Sequence, residues 1–294
     1  MNYEKLVKTA GRAAGTIAGA AACEAVISDN FIQITKYVLK TEDYDRRVEP
    51  VIAAAVSDLH FSRFGKDGRL LVNKIKSVNP DVIFITGDFF DYKNFSGKTF
   101  LSSDYSKVVL ENISKIAPSY FSVGNHDIRW EEASGENLRQ TVEHAGIRFL
   151  NYEYDDVKIK GRDFRIGGFF DYGVFEEDYY NRWIGSEARK FLLDFENTDA
   201  AKLLLAHRPN TFIYTKYDNR NTDAVFCGHY HGGLWRIPII DKGIFAPELG
   251  FFPEYSKGEY NFGDMTMFLN SGLEGYSFVP RMFNRPEVMK INII

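Results

Sequence analysis

Five apolar runs of β-strand type, each followed at once by a short polar motif, set the strongest limit on how this chain can fold. The motifs are Asp58-Leu59-His60, Gly87-Asp88, Gly124-Asn125-His126-Asp127, His207-Arg208-Pro209 and Gly228-His229-Tyr230-His231. In α/β sheets, ligands collect beyond the carboxyl ends of the strands. Five strand ends that deliver polar residues to one edge would therefore form a single site.

The first half of the chain alternates strands with amphipathic helices. Leu71 and Ile75 stand at the i, i+4 spacing of a helix face, and Asn79-Pro80 then stops the helix. The pattern predicts strands at residues 51–57, 81–86 and 119–123, with helices at 68–77, 103–116 and 136–145. This order predicts a sheet with helices on its faces.

The second half is richer in strand signals. A hairpin is expected where residues 157–160 and 164–168 flank Gly161-Arg162-Asp163. Further strands are predicted at residues 202–206, 223–227, 265–269 and 287–294. No linker separates the halves, and 45% apolar residues can supply a sizeable core, so one domain with two sheets is favoured.

Charge and cysteine content exclude two classes of protein. The net charge of −4 provides no bulk basic field of the kind that drives non-specific nucleic-acid binding, so no long nucleic acid is expected as a partner. Cys23 and Cys227 are too few for a disulfide framework or a cysteine-based zinc site.

The N-terminal segment differs from the rest of the chain. Lys5, Lys8 and Arg12 precede residues 13–22, which are mostly Ala and Gly and fall short of the ~20 apolar residues that span a bilayer. Three interpretations stay open: a helix packed on the domain or a partner, a membrane-associating helix, and a cleaved export signal. We expect residues 1–40 to form this segment and residues 41–294 the catalytic domain, located in the cytoplasm or peripherally on a membrane, with export left open.

The polar motifs together suit divalent cations. In an extended stretch residues i and i+2 point the same way, so Asp58 with His60, and His229 with His231, can reach common ions. Carboxylate, imidazole and amide ligands without thiolate suit Mn, Fe, Zn, Co or Ni. Each motif alone is more often a turn or a core histidine, and only their joint occurrence after strands indicates a site. His144 remains outside it.

The order of these motifs resembles that of the calcineurin-like metallophosphoesterases, over residues 58–231. The resemblance implies an α/β fold of four layers, an α/β/β/α sandwich in which two mixed β-sheets are flanked by helices. It also implies two divalent metal ions as cofactors. The first ion would be held by Asp58, His60 and His231, and the second by Asn125, His207 and His229. Asp88 would bridge both ions, and His126 would face the leaving group as a catalytic residue.

The favoured function is a binuclear metal-dependent phosphodiesterase in which a hydroxide bridging the ions attacks the phosphate ester in line. Arg236-Ile237-Pro238 and Asn270-Ser271-Gly272-Leu273 resemble bacterial, often membrane-associated, phosphodiesterases, so a lipid-linked or nucleotide-linked substrate and peripheral membrane contact are expected. Manganese is the favoured ion. The alternatives are a catalytically inactive scaffold, a cyclic-nucleotide phosphodiesterase or nuclease, and a protein phosphatase.

Three further features leave alternatives open. Residues 244–260 carry many large apolar side chains, which would form either core or an exposed patch suited to an acyl chain. Asp127 could orient His126 or a metal ligand, or simply occupy a turn. Tyr230 replaces the small hydroxyl residue usual between the two histidines of the family and should point away from their face. The sequence does not determine the oligomeric state.

Overall fold

The computed structural model describes residues 3–41, 49–96, 98–170, 187–214, 221–246, 249–274 and 279–294. The elements of the first half are α1 Tyr3–Asn30, β1 Gln33–Leu39, β2 Val51–Val56, α2 Arg69–Lys76, β3 Val82–Ile85, β4 Tyr92–Phe95, β5 Lys98–Leu101, α3 Ser103–Ser114, β6 Ser119–Ser122, α4 Asn125–Ser134, α5 Leu138–His144 and β7 Arg148–Leu150. Those of the second half are β8 Glu153–Ile159, β9 Arg162–Phe169, α6 Glu187–Phe195, β10 Ala201–Ala206, α7 Asn210–Tyr214, β11 Ala224–Cys227, β12 Arg236–Ile237, β13 Lys242–Gly243, β14 Phe245–Ala246, β15 Gly250–Phe251, β16 Gly258–Phe262, β17 Met265–Leu269 and β18 Glu287–Ile293.

The first sheet has the strand order β1-β18-β2-β3-β6-β7. Strands β2, β3, β6 and β7 run parallel, while β18 lies between β1 and β2, parallel to the former and antiparallel to the latter. Strand β2 is apolar without alternation because both faces of this sheet are covered.

The second sheet has the strand order β16-β17-β11-β10-β9-β8. Its four central strands are parallel, and both edge strands are antiparallel. The expected hairpin is formed by β8 and β9, whose turn places Lys160 and Gly161 at positive φ of 49° and 81°.

Three hydrophobic layers separate and cover the sheets. Phe84 of the first sheet packs on Phe226 of the second, with ring centroids 4.9 Å apart, and so closes the space between the sheets. Helices α2 to α5 cover the outer face of the first sheet, and Phe195 of α6 covers that of the second. The predicted sandwich of two mixed sheets flanked by helices is therefore confirmed.

The N-terminal segment contributes to this sandwich. Strand β1 pairs along its whole length with β18, so the boundary expected after residue 40 falls beyond a strand of the first sheet. Helix α1 is attached at its C-terminal end, where the Asp29 carboxylate accepts a hydrogen bond from the backbone N–H of Arg281 at 2.9 Å. In the described parts of the chain, no helix combines the length and apolarity needed to cross a membrane.

Candidate metal centre

Five parallel strands deliver the predicted ligands to one edge of the sandwich. Strands β2, β3 and β6 of the first sheet precede Asp58, Asp88 and Asn125. In the second sheet, β10 and β11 precede His207 and His229. The loops are joined by backbone hydrogen bonds from Asp58 to Gly87 (3.0 Å), from His60 to Asp88 (3.1 Å) and from Gly228 to His207 (2.9 Å).

We expected an extended backbone at this edge, in which residues i and i+2 point the same way. The backbone is not extended there. Asp58, His60, His229 and His231 have φ values of 56°, 47°, 74° and 48°, and Asp88 has 52°. The pairs thus converge through left-handed turns rather than through the alternation of a strand. Non-glycine residues adopt this conformation at an energetic cost and concentrate at functional sites, where the surrounding structure holds them in place.

Two glycines are needed because the loops approach closely. A Cβ atom at Gly124 would lie 2.2 Å from the Oδ1 atom of Asp88. One at Gly228 would lie 2.0 Å from the Oγ atom of Ser57 and 2.5 Å from the Oδ2 atom of Asp58. Gly124 and Gly228 therefore require the absence of a side chain, whereas Gly87, with a φ of 83°, occupies the left-handed region that favours glycine.

The first group of ligand atoms is Asp58, His60 and His231. The Oδ1 atom of Asp58 lies 3.8 Å from Nε2 of His60 and 3.7 Å from Nε2 of His231. The two imidazole rings stack, with centroids 5.4 Å apart. This arrangement converges three donor atoms on one point, as a cation requires.

The second group is Asp88, His207 and His229. Nε2 of His207 lies 2.9 Å from Oδ2 of Asp88 but lacks the geometry of a hydrogen bond to it. The same Asp88 oxygen lies 3.8 Å from Nε2 of His60 in the first group. Asp88 thus stands between the two groups. Asn125 begins helix α4 beside them, and its Oδ1 accepts a hydrogen bond from Nε of Arg208 at 3.3 Å.

The second nitrogens of two histidines support metal ligation. Nδ1 of His207 lies 2.7 Å from the Thr86 carbonyl oxygen, and Nδ1 of His231 lies 2.8 Å from that of Glu274. When Nδ1 donates to these carbonyls, the lone pair of Nε2 points into the centre. His60 is buried with neither ring nitrogen in a hydrogen bond. The residues present therefore fit two divalent cations.

The electrostatics favour a positive species at this edge. Burial raises the pKa values of Asp58 and Asp88, but the neighbouring histidines outweigh it and hold both pKa values well below their usual range. Burial lowers the pKa of His207, yet Asp88 and Asp58 raise it to about 9. Burial dominates at His231 and lowers its pKa to about 4. Two buried carboxylates thus stay charged and attract protons or cations.

His126 belongs to neither of these two groups, but with His60 and Asp91 it forms a third cluster of possible ligand atoms at the same edge. Its backbone N–H donates to Oδ1 of Asp88 at 2.7 Å, and its side chain is one-third exposed. Nδ1 of the ring lies 2.9 Å from Oδ1 of Asp91, whose other oxygen lies 3.3 Å from Nδ1 of His60. Asp91 was missed from the sequence, although its position three residues after Asp88 was an available signal.

Asp127 holds two loops together. Its carboxylate accepts hydrogen bonds from the backbone N–H groups of Asp88, Phe89, Phe90 and Gly124 at 2.7–2.9 Å. Burial and the charge of Asp88 raise the pKa of this carboxyl, and the N–H donors act against that rise. Asp127 therefore orients the loop that carries Asp88, which is more than the role of a turn residue.

The carbonyl of His231 is held by two residues distant in sequence. Nη2 of the buried Arg281 donates to it at 3.0 Å, and Nδ2 of Asn284 donates at 2.7 Å. No local sequence signal links Arg281 to His231.

Tyr230 turns away from the ligand face, as expected, and its hydroxyl donates to Oδ1 of the buried Asn210 at 3.0 Å.

The aromatic segment after His231 divides between core and surface. Leu249 and Tyr255 pack against the outer core of the second sheet. Phe245, Phe251 and Phe252 are exposed. Together with the exposed Ile239, Ile240 and Phe95, they are called the apolar rim below.

Comparison with known proteins identifies the family. The model of the calcineurin-like phosphoesterase family matches residues 53–233. The phosphodiesterase YaeI of Escherichia coli is 27% identical, over 81% of this chain and 80% of its own length. The uncharacterized metallophosphoesterase YkoQ of Bacillus subtilis is 26% identical, over 79% and 80%.

Among solved structures, the phosphopantetheinyl hydrolase PptH of Mycobacterium tuberculosis matches with a TM-score of 0.45 and 12% identity, over 81% of this chain and 97% of that one. The family match covers more than half of the chain and includes all five polar motifs. The protein therefore belongs to the calcineurin-like phosphoesterase family.

Proposed function

We propose that this protein is a binuclear metal-dependent phosphodiesterase. The observation that carries the proposal is the pair of ligand groups at one sheet edge, with Asp88 between them. In the proposed assignment, the first ion is held by Asp58, His60 and His231, the second by Asn125, His207 and His229, and both by Asp88. Such ions would act as Lewis acids toward the phosphoryl oxygens and would lower the pKa of a bound water toward neutrality.

The protein's own contribution includes a proton for the leaving group. When the Nδ1–H group of His126 donates a hydrogen bond to Asp91, Nε2 of His126 is the atom that would protonate the departing oxygen. A positioned general acid of this kind typically contributes about 10²–10⁴ in rate. Asp127 and the turn at Gly87 keep Asp88 in place during this step.

The substrate is proposed to be a phosphodiester with a lipid-linked group. The similar protein from Escherichia coli is named a phosphodiesterase, which favours a diester over a monoester. The exposed rings of Phe245 and Phe251, whose centroids are 5.3 Å apart, favour an acyl chain over a nucleotide. A nucleotide-linked diester is the competing substrate, and comparing an acylated with a nucleotide diester at equal concentration distinguishes them.

An inactive scaffold is disfavoured because every ligand of the motif and the leaving-group histidine are present. We further propose Mn as the favoured ion and a catalytic unit that begins at β1 rather than at residue 41.

The test is metal analysis of the purified protein with hydrolysis of bis(p-nitrophenyl) phosphate, with and without added Mn²⁺. Near two ions per chain and Mn-dependent hydrolysis are expected. His229→Ala should lose metal and activity. The exposed His144, which lies on α5 outside the site, is the matched control, and His144→Ala should behave as the parent. Absence of both metal uptake and hydrolysis would overturn the proposal in favour of a scaffold.

A further inference from the structure

Arg281 is a fully buried charged side chain whose guanidinium binds backbone carbonyls instead of a carboxylate. Nη1 donates to the Gly272 carbonyl at 3.0 Å, and Nη2 donates to the carbonyls of Ser271 and of His231, the latter at 3.0 Å. Within the described residues, no carboxylate lies at ion-pair distance from it. Burying an unpaired guanidinium costs several kcal/mol, so its position calls for a role in geometry beyond packing.

The two loops that Arg281 joins both belong to the first ligand group. The loop after Gly272 lies against Asp58, because the N–H groups of Leu273 and Glu274 donate to the Asp58 carbonyl at 3.2 and 2.8 Å. The Glu274 carbonyl in turn lies 2.8 Å from Nδ1 of His231. One buried side chain therefore connects the backbone around Asp58 to that of His231.

Asn284 provides the second contact to His231. Its Nδ2 atom donates to the His231 carbonyl at 2.7 Å and to that of Leu234 at 3.3 Å. A Cβ atom at Gly232 would lie 2.6 Å from Oδ1 of Asn284, so the two segments approach closely. His231 has a φ of 48°, and a residue in this conformation persists only where its surroundings hold it. The two donors on its carbonyl supply that constraint.

Helix α1 holds the segment that carries Arg281 and Asn284. The backbone N–H of Arg281 donates to Oδ1 of Asp29 at 2.9 Å, and that of Phe283 donates to Oε1 of Glu24 at 3.2 Å. The buried Ser28 hydroxyl donates to the same Glu24 oxygen at 2.7 Å, which fixes the carboxylate in place. The N-terminal helix thus reaches His231 through one intervening segment.

The second ligand group has separate support. In the part of the chain that the structure describes, neither Arg281 nor Asn284 forms a hydrogen bond or ion pair with Asn125 or His207. His207 is oriented by the Thr86 carbonyl instead. A change at helix α1 should therefore affect one group and leave the other as it is.

We propose that Glu24, Asp29, Arg281 and Asn284, called the support residues below, position the first ligand group, so that the N-terminal helix sets the affinity of the first proposed ion and not of the second. They are positioning residues, because each acts through the backbone of another residue. The inference rests on the proposed function for the assignment of ligands to two ions, and its test measures ion binding apart from turnover.

The experiment is titration of the full chain with Mn²⁺, with the free ion followed by electron paramagnetic resonance, in two backgrounds. His207→Ala leaves the first group intact, and His60→Ala leaves the second. In the first background, Glu24→Ala with Asp29→Ala should weaken Mn²⁺ binding about tenfold, the low end of the effect of residues behind a ligand. In the second background, the same pair of changes should leave binding unchanged.

Three further variants separate positioning from general stability. Glu24→Gln with Asp29→Asn keeps both acceptor oxygens and should recover most of the affinity. Asn284→Ala removes a donor from the His231 carbonyl directly and should weaken the first ion at least as much as the helix variant. Asn30→Ala is the matched control at the same helix end, since its side chain donates to the Val26 carbonyl of its own helix at 2.9 Å, and it should bind Mn²⁺ as the parent does.

Three results would overturn the role of the support residues. They are unchanged binding in the His207→Ala background, equal weakening in both backgrounds, and an equal loss in Asn30→Ala. If a background variant does not fold, titration of the otherwise unchanged chain replaces it, and the helix variant should then weaken one of two binding steps. Mn²⁺ binding by the parent without hydrolysis of bis(p-nitrophenyl) phosphate would overturn the proposed function alone, whereas absence of Mn²⁺ binding would overturn both.

Discussion

The metal centre and the apolar rim are adjacent in sequence but are built in opposite ways. At the centre, Asp58 and Asp88 are almost fully buried, and backbone hydrogen bonds tie each loop to its neighbour. In the part of the rim that follows His231, the strands are two residues long and the apical side chains are exposed. Both regions contain strained residues at positive φ, but only the centre holds them within a dense network. Dense packing therefore preserves a geometry for chemistry, whereas the rim preserves only a surface.

The largest effect is expected from changing Asp88, which is proposed to bridge the two ions. Asp88→Asn should remove metal and lower turnover by about 10³-fold or more, because charge stabilisation worth several kcal/mol is lost. Metal content by elemental analysis, beside turnover with excess Mn²⁺, checks this. A variant that keeps two tightly bound ions would show that Asp88 does not bridge.

Removing the His126 side chain should distinguish a loss of turnover from a loss of metal binding. His126→Ala should reduce turnover by about 10²–10⁴-fold while metal content stays near that of the parent. A substrate whose leaving group needs no proton should be cleaved with a much smaller loss. Equal losses for both substrates would contradict the assignment of His126 as general acid.

Replacing Asp91, whose carboxylate lies beside both His126 and His60, should have an intermediate effect. Asp91→Asn should cost about 10–100-fold in metal affinity or activity, since it removes the acceptor that orients His126 and approaches His60. Metal titration and turnover should both change. Asp163→Asn at the exposed β8–β9 hairpin is the control, and equal behaviour of the two variants would remove Asp91 from the site.

The centre should also make the metal-free protein sensitive to alkali. The folded pKa of His207, about 9, lies above its unfolded value of about 6.5. Its contribution to stability is therefore complete below pH 6.5 and is lost as the pH rises through about 9. Thermal unfolding in chelator should show a falling midpoint over this window, and His207→Gln should reduce the fall. A flat profile in the parent would contradict the raised pKa.

The smallest effect is expected at the rim. Phe251→Ala should change the free energy of unfolding by no more than about 0.5 kcal/mol, because its ring is 75% exposed. Phe226→Ala, buried between the sheets, should cost about 3–5 kcal/mol. Denaturant unfolding of the two variants checks the contrast. A large loss for Phe251→Ala would mean that the rim is part of the core.

The convergence of the five loops at one edge could be predicted from the sequence better than the surface around them, for a physical reason, while the ligand roles of their residues stay a proposal. Strands such as β2 and β10 are short buried runs, and a proposed ligand follows each of them closely, so local pattern suffices to bring these residues to one edge. Exposure of Phe251 and burial of Tyr255 depend on contacts between distant elements, and composition alone could not separate them. The contact of Arg281 with His231 is non-local in the same way.

Two local errors teach something different. The pattern assigned no helix between the strand at residues 119–123 and the helix at 136–145, but Asn125 begins helix α4, where Asp127 caps the helix by accepting the N–H of Gly124. The left-handed turns at Asp58 and His231 could not be inferred from propensity, since Asp and His adopt this conformation more often than most residue types but still only at a minority of positions.

The position of β18 has a consequence for how the protein is made. This strand occupies an interior place in the first sheet and hydrogen-bonds to β1 on one side and β2 on the other, although it follows every ligand in the chain. A ribosome therefore releases all seven proposed ligands before it releases the residues that close the sheet. Until residues 287–293 emerge, the pairing edge of β2 stays open to other chains. During synthesis, the edge of β2 should consequently need protection, for example by a chaperone, until the C-terminal strand is added.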